Sequence, residues 1–137
     1  MLPTKWTCGL PLSVEASRAF NRDAIVAGRC DVLEGDSSSL PFDDDTFDLV
    51  TAFETVYYWN IAPAFAEVAR VLAPGGRFLI CNEDDGHDPG SVEFAKLIPT
   101  MSMHTPEALE TALIAAGFTS PALAQRGGGD FALVALR

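Results

Sequence analysis

Positive charge is scarce in this sequence, which has 9 Lys and Arg residues against 19 Asp and Glu residues. The basic residues stand singly along the chain, so they form no stripe that could follow a polyphosphate backbone. The formal net charge of -10 also repels such a backbone. We therefore expect no nucleic-acid partner.

Cysteine and long apolar segments are also scarce. Cys8, Cys30 and Cys81 are spaced too irregularly for a zinc knuckle or a CxxC pair, and their odd number argues against a disulfide framework. No apolar run approaches the roughly 20 residues that span a bilayer, and the N-terminal residues do not have the pattern of a secretory leader. These features predict a cytoplasmic protein that does not interact with membranes.

Several catalytic signatures are missing as well. The sequence has no Ser-His-Asp arrangement, no HExxH motif and no P-loop, so hydrolase and NTPase functions have no support. The acidic residues around His87 could suggest a metal site, but a polar loop that contains glycine is the simpler interpretation. We expect no bound metal, and we expect His104 to be a solvated loop residue.

The remaining composition is that of an ordered globular chain, with 48% hydrophobic and 20% charged residues. Its 137 residues are enough for one domain with a continuous core and too few for a second. We predict a single domain over residues 1–137. Within it, residues 1–12 form an irregular segment around Pro3 and Pro11.

Three helices are predicted from capping residues and helical periodicity. The first begins with Ser13 as N-cap and stops at Gly28. The second has Pro63 at its first position and ends before the turn Pro74-Gly75-Gly76. In the third, Thr105 is the N-cap, Pro106 follows at the first position, and Gly117 ends the helix.

The strands predict an α/β fold with a mainly parallel sheet. Cys30 to Gly35 is predicted as a short strand, and the nearly continuous apolar run Phe47 to Phe53 as a central strand with both faces covered. With Arg77 to Cys81, this run brackets the second helix, which makes a parallel βαβ unit. Residues 121–125 and 130–136 predict a terminal antiparallel hairpin closed by Gly127-Gly128-Gly129.

The carboxyl ends of these strands carry acidic and amide side chains. Asp36, Glu54 and the pair Asn82-Glu83 each follow a predicted strand, and ligands of open α/β sheets bind at this edge. An acidic rim favours amines, hydroxyls and a cationic sulfonium, and it repels free phosphates. Carboxylates can also fall at strand ends by chance in so acidic a chain, so the shared rim counts for more than any one residue.

Four motifs in order carry a family resemblance. They are Glu34-Gly35-Asp36, Leu40-Pro41-Phe42, Phe47-Asp48-Leu49-Val50 and the run Arg70-Val71-Leu72-Ala73-Pro74-Gly75-Gly76 before a strand. Over about residues 13–137 the chain resembles class I S-adenosylmethionine-dependent methyltransferases of the small-molecule, type 11-like group. The resemblance implies a Rossmann-like fold and S-adenosylmethionine as the cofactor.

The resemblance also assigns expected roles to residues. It implies that Asp36 approaches the adenine amino group with Ser37 beside it, and that Phe53 and Glu54 line the methyl-transfer site. It makes Tyr57, Tyr58 and Trp59 candidate substrate contacts, although aromatics at such positions more often cover the core. No catalytic residue is assigned.

The sequence also departs from that family. The strand and glycine-rich turn that would face the methionine carboxylate are absent, and Pro11 stands where a ribose-binding acid is expected after the remnant Cys8-Gly9-Leu10. We therefore expect the isolated chain to bind S-adenosylmethionine weakly or not at all.

Three hypotheses on function follow. The first is a methyltransferase whose site is completed by a partner chain or works with fewer cofactor contacts. Motifs typical of DNA methylation are absent, so a small molecule is the favoured substrate class. The second is a non-catalytic remnant that acts as a binding or assembly module. The third is a truncated reading frame.

The missing first strand also has a consequence for assembly. In the resembling family that strand pairs with the segment matching Phe47 to Phe53, so this segment is expected to have one open side. The N-terminal piece or the strand Cys30 to Gly35 could cover that side, or two chains could associate. We expect a homodimer.

Overall fold

The computed structural model describes residues 11–137, which form an α/β fold around one four-stranded sheet. The strands are β1 (Phe47–Phe53), β2 (Leu72–Asn82), β3 (Thr119–Gly127) and β4 (Asp130–Leu136), in the order β1-β2-β4-β3. The helices are α1 (Pro11–Phe20), α2 (Arg22–Val26), α3 (Ile61–Val71), α4 (Pro89–Ala95) and α5 (Pro106–Ala115), with a 3-10 turn at Val56–Tyr58.

The strand pairings confirm the two main topological predictions. β1 and β2 run parallel, with Val50 beside Phe78 and Phe53 beside Cys81, and α3 connects them. β4 pairs antiparallel with both β2 and β3, which includes the predicted hairpin. The sheet is therefore mixed, since one parallel pairing stands beside two antiparallel ones.

The core lies on one face of this sheet. Strand residues of this face are buried between the sheet and helices α3 and α5: Ala52, Phe78, Ile80, Phe131, Leu133 and Ala135. Phe65 of α3 contacts Phe78 edge to face, with ring centroids 5.4 Å apart, and Phe118 contacts Phe78 at 5.8 Å. We call this side of the sheet the covered face.

β1 lies at an edge of the sheet, where it pairs with β2 and with no other strand of residues 11–137. Within these residues β1 is therefore an edge strand and not the predicted central one, and the expectation that one side of Phe47 to Phe53 is left open stays a prediction. On the face of β1 that points away from the covered face, Leu49 and Phe53 are 55% and 57% exposed, so this face has no layer of helices from residues 11–137 on it. We call this side of the sheet the open face.

The predicted strand Cys30 to Gly35 is not a strand in the structure. Its apolar residues Cys30 and Val32 are buried with Val14 of α1 in a second, smaller cluster. The segment is held there by side chains, since Arg18 Nε donates to the Val32 carbonyl at 3.0 Å and the Asp31 carboxylate accepts from the Val32 N–H at 2.8 Å. A strand needs a neighbouring ladder, and the apolar pattern alone does not supply one.

The first predicted helix is divided in two. Ser13 lies inside α1 and is not its N-cap, and the helical path is interrupted at Asn21, whose Nδ2 donates to the Ser17 carbonyl at 2.8 Å. Such a side-chain bond competes with the helical backbone pattern. The predicted stop is confirmed, because Gly28 has φ of +67° directly after the second piece. The remnant Cys8-Gly9-Leu10 lies outside the described residues.

The second helix begins two residues before the predicted position. Asn60 is its N-cap and Pro63 is the third helical residue, a place where the N–H has no intrahelical acceptor and proline is tolerated. The helix ends at Val71, and β2 follows at once from Leu72. The predicted stop at Pro74-Gly75-Gly76 therefore lies within β2, where the register with β1 shifts.

The third helix has the predicted ends. Thr105 is the N-cap of α5 and accepts from the Ala108 N–H at 3.3 Å, with Pro106 at the first position. Gly117 has φ of +95° at the stop. Among residues 11–137, no helix is long and apolar enough to cross a bilayer.

An ion cluster fixes the acidic segment before β1. The Arg70 guanidinium of α3 binds Glu67 through Nε at 2.8 Å, Asp44 at 2.8 Å and the Leu40 and Phe42 carbonyls at 3.0 and 2.7 Å. Glu67 also accepts from the Leu40 N–H at 2.8 Å. These bonds lower the pKa of Glu67 to about 2, with the Arg70 bond as the larger cause. The motif Leu40-Pro41-Phe42 and the motif that begins at Arg70 are thus held together by direct hydrogen bonds.

Candidate functional site

A cleft of about 530 Å³ opens at the carboxyl ends of β1 and β2. This is the edge where open α/β sheets bind ligands. The residues that line it come from both strand ends, the 3-10 turn, α4 and the segment after α4: Glu54, Tyr57, Glu83, Asp84, Asp88, Gly90, Ser91, Phe94, Met101 and Met103. Two of the rim residues expected from the sequence, Glu54 and Glu83, are therefore brought together.

Glu54 joins the ends of the two parallel strands. Its backbone has φ of 52°, in the left-handed region, directly after β1. Its N–H donates to the Cys81 carbonyl at 3.0 Å, and its Oε1 accepts from the Glu83 N–H at 2.6 Å. Desolvation raises the pKa of Glu54 more than the bond from the Glu83 N–H lowers it. The carboxylate is therefore a stronger proton acceptor than one in open water.

Tyr57 lies beside Glu54 at the buried end of the cleft. Only 4% of Tyr57 is exposed, and its hydroxyl accepts from the Asp84 N–H at 3.3 Å and donates to the Asp84 carbonyl at 3.4 Å. Burial, followed by the charge of Glu54, raises the pKa of Tyr57 to about 12. The phenol is therefore neutral across the physiological range and remains a hydrogen-bond donor.

The opposite wall is apolar and comes from α4 and the following segment. Phe94, Met101 and Met103 contribute it. Asp88 caps α4 by accepting from the Ser91 N–H at 2.8 Å, and the Ser102 N–H donates to the Tyr57 carbonyl at 2.7 Å. These two bonds fix the apolar wall against the acidic one.

The charge of the cleft has one sign. Four carboxylates line it, from Glu54, Glu83, Asp84 and Asp88, and no Lys, Arg or His is among the lining residues. Such a wall attracts cations and hydrogen-bond donors and repels anions. No group of His, Cys, Asp and Glu within residues 11–137 has the arrangement of a metal site.

Buried polar atoms without partners lie on residues at the same end of the sheet. Asn82, the last residue of β2, is 4% exposed, and neither its Oδ1 nor its Nδ2 has a partner within residues 11–137. Thr55 Oγ1 and His104 Nε2 are also buried and have no hydrogen-bond partner within these residues. Atoms of this kind are satisfied by water or a ligand. His104 is half-buried, which lowers its pKa, so the expectation of a solvated residue is wrong.

The other predicted site residues are not among those that line the cleft. Asp36 and Ser37 form a turn in which Asp36 Oδ1 accepts from the Ser38 N–H at 2.8 Å. Phe53 is at the end of β1 on the open face. Tyr58 is exposed, and Trp59 stacks on Phe78 of the core with ring centroids 6.3 Å apart.

Sequence reasoning missed the apolar wall and the carboxylate at its base. Asp88 followed by Pro89 is the pattern of an N-cap with proline at the first helical position, and it could have located α4. Met101 and Met103 follow a seven-residue helix with no clear period, so no pattern marked them as cleft residues.

Comparisons with known proteins identify the family and the fold of the chain. The family model described as a methyltransferase domain matches residues 7–80, which is more than half of the chain. The sterol 4-C-methyltransferase strm-1 of Caenorhabditis elegans is 29% identical over 97 residues, which cover 64% of this chain and 29% of that protein.

A second relative matches more strongly over a shorter stretch. The mitochondrial 2-methoxy-6-polyprenyl-1,4-benzoquinol methylase of Mus musculus is 48% identical over 56 residues, which cover 40% of this chain and 17% of that protein. The matched stretches thus cover less than a third of the length of either relative.

The fold itself recurs in solved structures. Protein PH0226 of Pyrococcus horikoshii OT3 superposes with a TM-score of 0.78 at 18% identity, covering 99% of this chain and 71% of that one. Identity at this level shows the fold alone. The family is shown by the match of the methyltransferase-domain model over residues 7–80. The chain therefore belongs to the class I S-adenosylmethionine-dependent methyltransferase family.

Proposed function

We propose that the cleft at the ends of β1 and β2 binds a small-molecule methyl acceptor and that the chain takes part in S-adenosylmethionine-dependent methylation of it. The observation that carries this proposal is the cleft itself, which combines an acidic wall and an apolar wall in a chain of this family.

The methyl donor fits the described residues only in part. Its sulfonium suits an acidic rim, and we assign Phe53 and Glu54 to that end and Asp36 with Ser37 to the adenine. Its amino-acid end carries a carboxylate, which the acidic lining of the cleft repels. Residues 11–137 contain no glycine-rich turn between a strand and a following helix. Groups outside this range therefore have to hold that carboxylate.

The side chains of the cleft have defined tasks in this proposal. Bound S-adenosylmethionine supplies an electrophilic methyl group, and the acceptor atom loses a proton when it is methylated. Glu54 accepts that proton, because desolvation raises its pKa and makes it more basic than an ordinary carboxylate. Tyr57 stays neutral, and its two hydrogen bonds with the Asp84 backbone hold the acidic wall in the place where the acceptor binds.

The two walls also define the class of acceptor. An amine or hydroxyl group fits the side of Glu54 and Glu83, and an apolar body fits the side of Phe94, Met101 and Met103. The two relatives support an apolar body, since their names specify a sterol and a polyprenyl benzoquinol as acceptors. Anionic acceptors are disfavoured by the four carboxylates.

Methionine methyl groups offer a direct test of acceptor binding. The chain has three methionines, and two of them, Met101 and Met103, line the cleft. Amphiphiles that share one apolar body and end in an amine, a phenol or a carboxylate would be titrated into the 13C-methyl-labelled protein. We expect the amine and the phenol to shift the signals of Met101 and Met103. Equal shifts with the carboxylate would contradict the acidic site.

Methyl transfer is tested separately. With labelled S-adenosylmethionine at saturating concentration, Glu54→Gln should lower the turnover by about 100-fold or more, because it removes the proton acceptor and keeps the shape of the side chain. Asp23→Asn on α2 is a matched control outside the cleft and should leave turnover unchanged. Equal turnover in the wild type and Glu54→Gln would reject the role of Glu54.

A non-catalytic binding module is the second candidate function. It is favoured by the poor fit of the donor's carboxylate to the acidic cleft. Under this alternative the acceptor shifts Met101 and Met103, while calorimetry detects no S-adenosylmethionine or S-adenosylhomocysteine binding and no methyl is transferred. In contrast, a micromolar dissociation constant that is abolished by Asp36→Ala would favour the enzyme and the proposed adenine contact.

A further inference from the structure

Buried polar groups without partners lie one residue behind the lining of the cleft. They belong to Thr55, Asn82 and His104, and they bond to no group in the part of the chain that the structure describes. Each of the three is the chain neighbour of a lining residue: Glu54, Glu83 and Met103, respectively. The polar groups are therefore spread over three segments that all reach the same cleft.

These three segments contact one another. Tyr57 connects two pairs of them, since its hydroxyl bonds to the Asp84 backbone at 3.3 and 3.4 Å and its carbonyl accepts from the Ser102 N–H at 2.7 Å. The remaining pair packs closely, because a β-carbon at Gly86 would lie 3.4 Å from the His104 carbonyl carbon. We call the place where the segments meet the junction, and it is formed by residues 54–57, 82–86 and 102–105.

The unpartnered groups of the junction are neutral. An asparagine amide contains N–H donors and a carbonyl acceptor, and a threonine hydroxyl both donates and accepts. His104 is half-buried, and desolvation lowers its pKa, so its ring is uncharged near neutral pH. A charged ligand group would be buried here without an opposite charge in this set, which is costly. A hydroxyl oxygen fits better, because it accepts from donors and donates to acceptors at once.

We propose that the junction is a binding site for one uncharged hydroxyl oxygen, held by Thr55, Asn82 and His104 directly behind the acidic wall. The oxygen is either that of a resident water molecule or that of a hydroxyl group on the bound acceptor. The second source rests on the proposed function and narrows it, since the acceptor then carries a hydroxyl group close to the atom that is methylated. Asn82 is only 4% exposed, so the ligand group has to be as small as a single hydroxyl.

The first test needs no acceptor and is therefore independent of the proposed function. Water-selective NOE spectra would be recorded on the 15N-labelled protein without ligand. The side-chain amide protons of Asn82, identified by their loss in Asn82→Leu, should show a cross peak from a long-lived water molecule. The exposed side-chain amides of Asn60 and Gln125 are internal controls and should show none.

Titration with octylamine and 1-amino-2-octanol separates the two sources of the oxygen. If the acceptor supplies it, the amino alcohol should bind about fivefold to tenfold more tightly than octylamine, and any water cross peak should disappear on binding. Asn82→Leu should abolish this difference, whereas Asn60→Leu, which removes an exposed amide, should preserve it. Equal affinities with a retained cross peak assign the oxygen to water. If neither amine binds, the proposed function fails, and the spectra of the free protein still decide the junction.

Thr55→Val keeps the test decisive if Asn82→Leu does not fold. This variant replaces the hydroxyl by a methyl group of similar shape. A hydroxyl that binds the oxygen stabilises the fold, so the melting temperature should fall in the variant. A hydroxyl without a partner in solution is a cost, so its replacement would leave the melting temperature unchanged or raise it. That result overturns the proposal, as does a free protein without the cross peak that binds the two amines equally.

Discussion

The covered and open faces of the sheet both carry large apolar side chains but have very different surroundings. On the covered face, Phe78 and Ile80 have no exposed surface. On the open face, Leu49 and Phe53 of the neighbouring strand β1 are more than half exposed. The apolar run of β1 therefore does not by itself indicate whether one face or both faces of the strand are buried.

The difference follows from which helices reach the sheet. α3 and α5 supply Phe65, Val68, Leu109 and Leu113 to the covered face. α1 and α2 instead hold the separate cluster around Val14 and Val32. The apolar sequence of β1 is typical of a strand with helices on both faces, but in the described part of the chain helices pack on one face only.

The largest expected effect contrasts one phenylalanine on each face. Phe78→Ala should lower the free energy of unfolding by about 3 to 5 kcal/mol, because it leaves a cavity under α3 and α5. Phe53→Ala removes the same atoms from an exposed position and should change it by less than about 1 kcal/mol. Urea unfolding of the two variants measures both values. Equal losses would mean that the open face is covered in solution.

A second effect concerns the ion cluster that joins α3 to the segment before β1. The pKa of Glu67 is lowered to about 2 in the folded protein, from an ordinary value of 4.5. Its ionised form therefore stabilises the fold above pH 4.5, and this contribution is lost as the pH falls from 4.5 towards 2. Thermal unfolding across this range should show the wild type more stable than Glu67→Gln near neutral pH, with the difference closing in acid.

The matched control for that series is Glu93→Gln, which removes an exposed ion pair with Lys96. Its effect on unfolding should be small near neutral pH. A difference between wild type and Glu67→Gln that stayed constant down to pH 2 would contradict the ionised contact.

The smallest effect has the opposite sign and lies in the cleft. Desolvation raises the pKa of Glu54, so the folded state favours its protonated form. The wild type therefore gains from this group below the ordinary value of 4.5 and loses the gain as the pH rises through the folded pKa. Glu54→Gln does not ionise, so its stability relative to the wild type should increase with pH. Melting temperatures at pH 4 and pH 8 compare the two proteins, and an unchanged difference would reject the raised pKa.

Much of the fold could be predicted because its signals are local. Thr105, Pro106 and Gly117 mark the ends of α5 through capping and positive φ, and the glycines after residue 126 mark the hairpin. The parallel pair β1 and β2 followed from two apolar runs with a helix between them. These features depend on a few neighbouring residues, so a single sequence contains them.

The remaining features depend on distant partners. Whether Cys30 to Gly35 becomes a strand depends on a neighbouring ladder, which no local pattern reports. The burial of His104 depends on packing that its polar neighbours in sequence do not indicate. In the site, the rim carboxylates Glu54 and Glu83 follow from strand ends, whereas Met101 and Met103 reach the cleft only through the path of the chain after α4.

The two separate hydrophobic clusters imply two levels of cooperativity. Residues of the larger cluster come from β1, β2, β4, α3 and α5, so they can become exposed only when the whole sheet unfolds. The smaller cluster of Val14, Cys30 and Val32 has far fewer members, so it can open while the sheet stays intact. Amide protons of α1 and α2 then exchange through this local opening, and the buried Cys30 thiol becomes accessible to reagents on the same timescale.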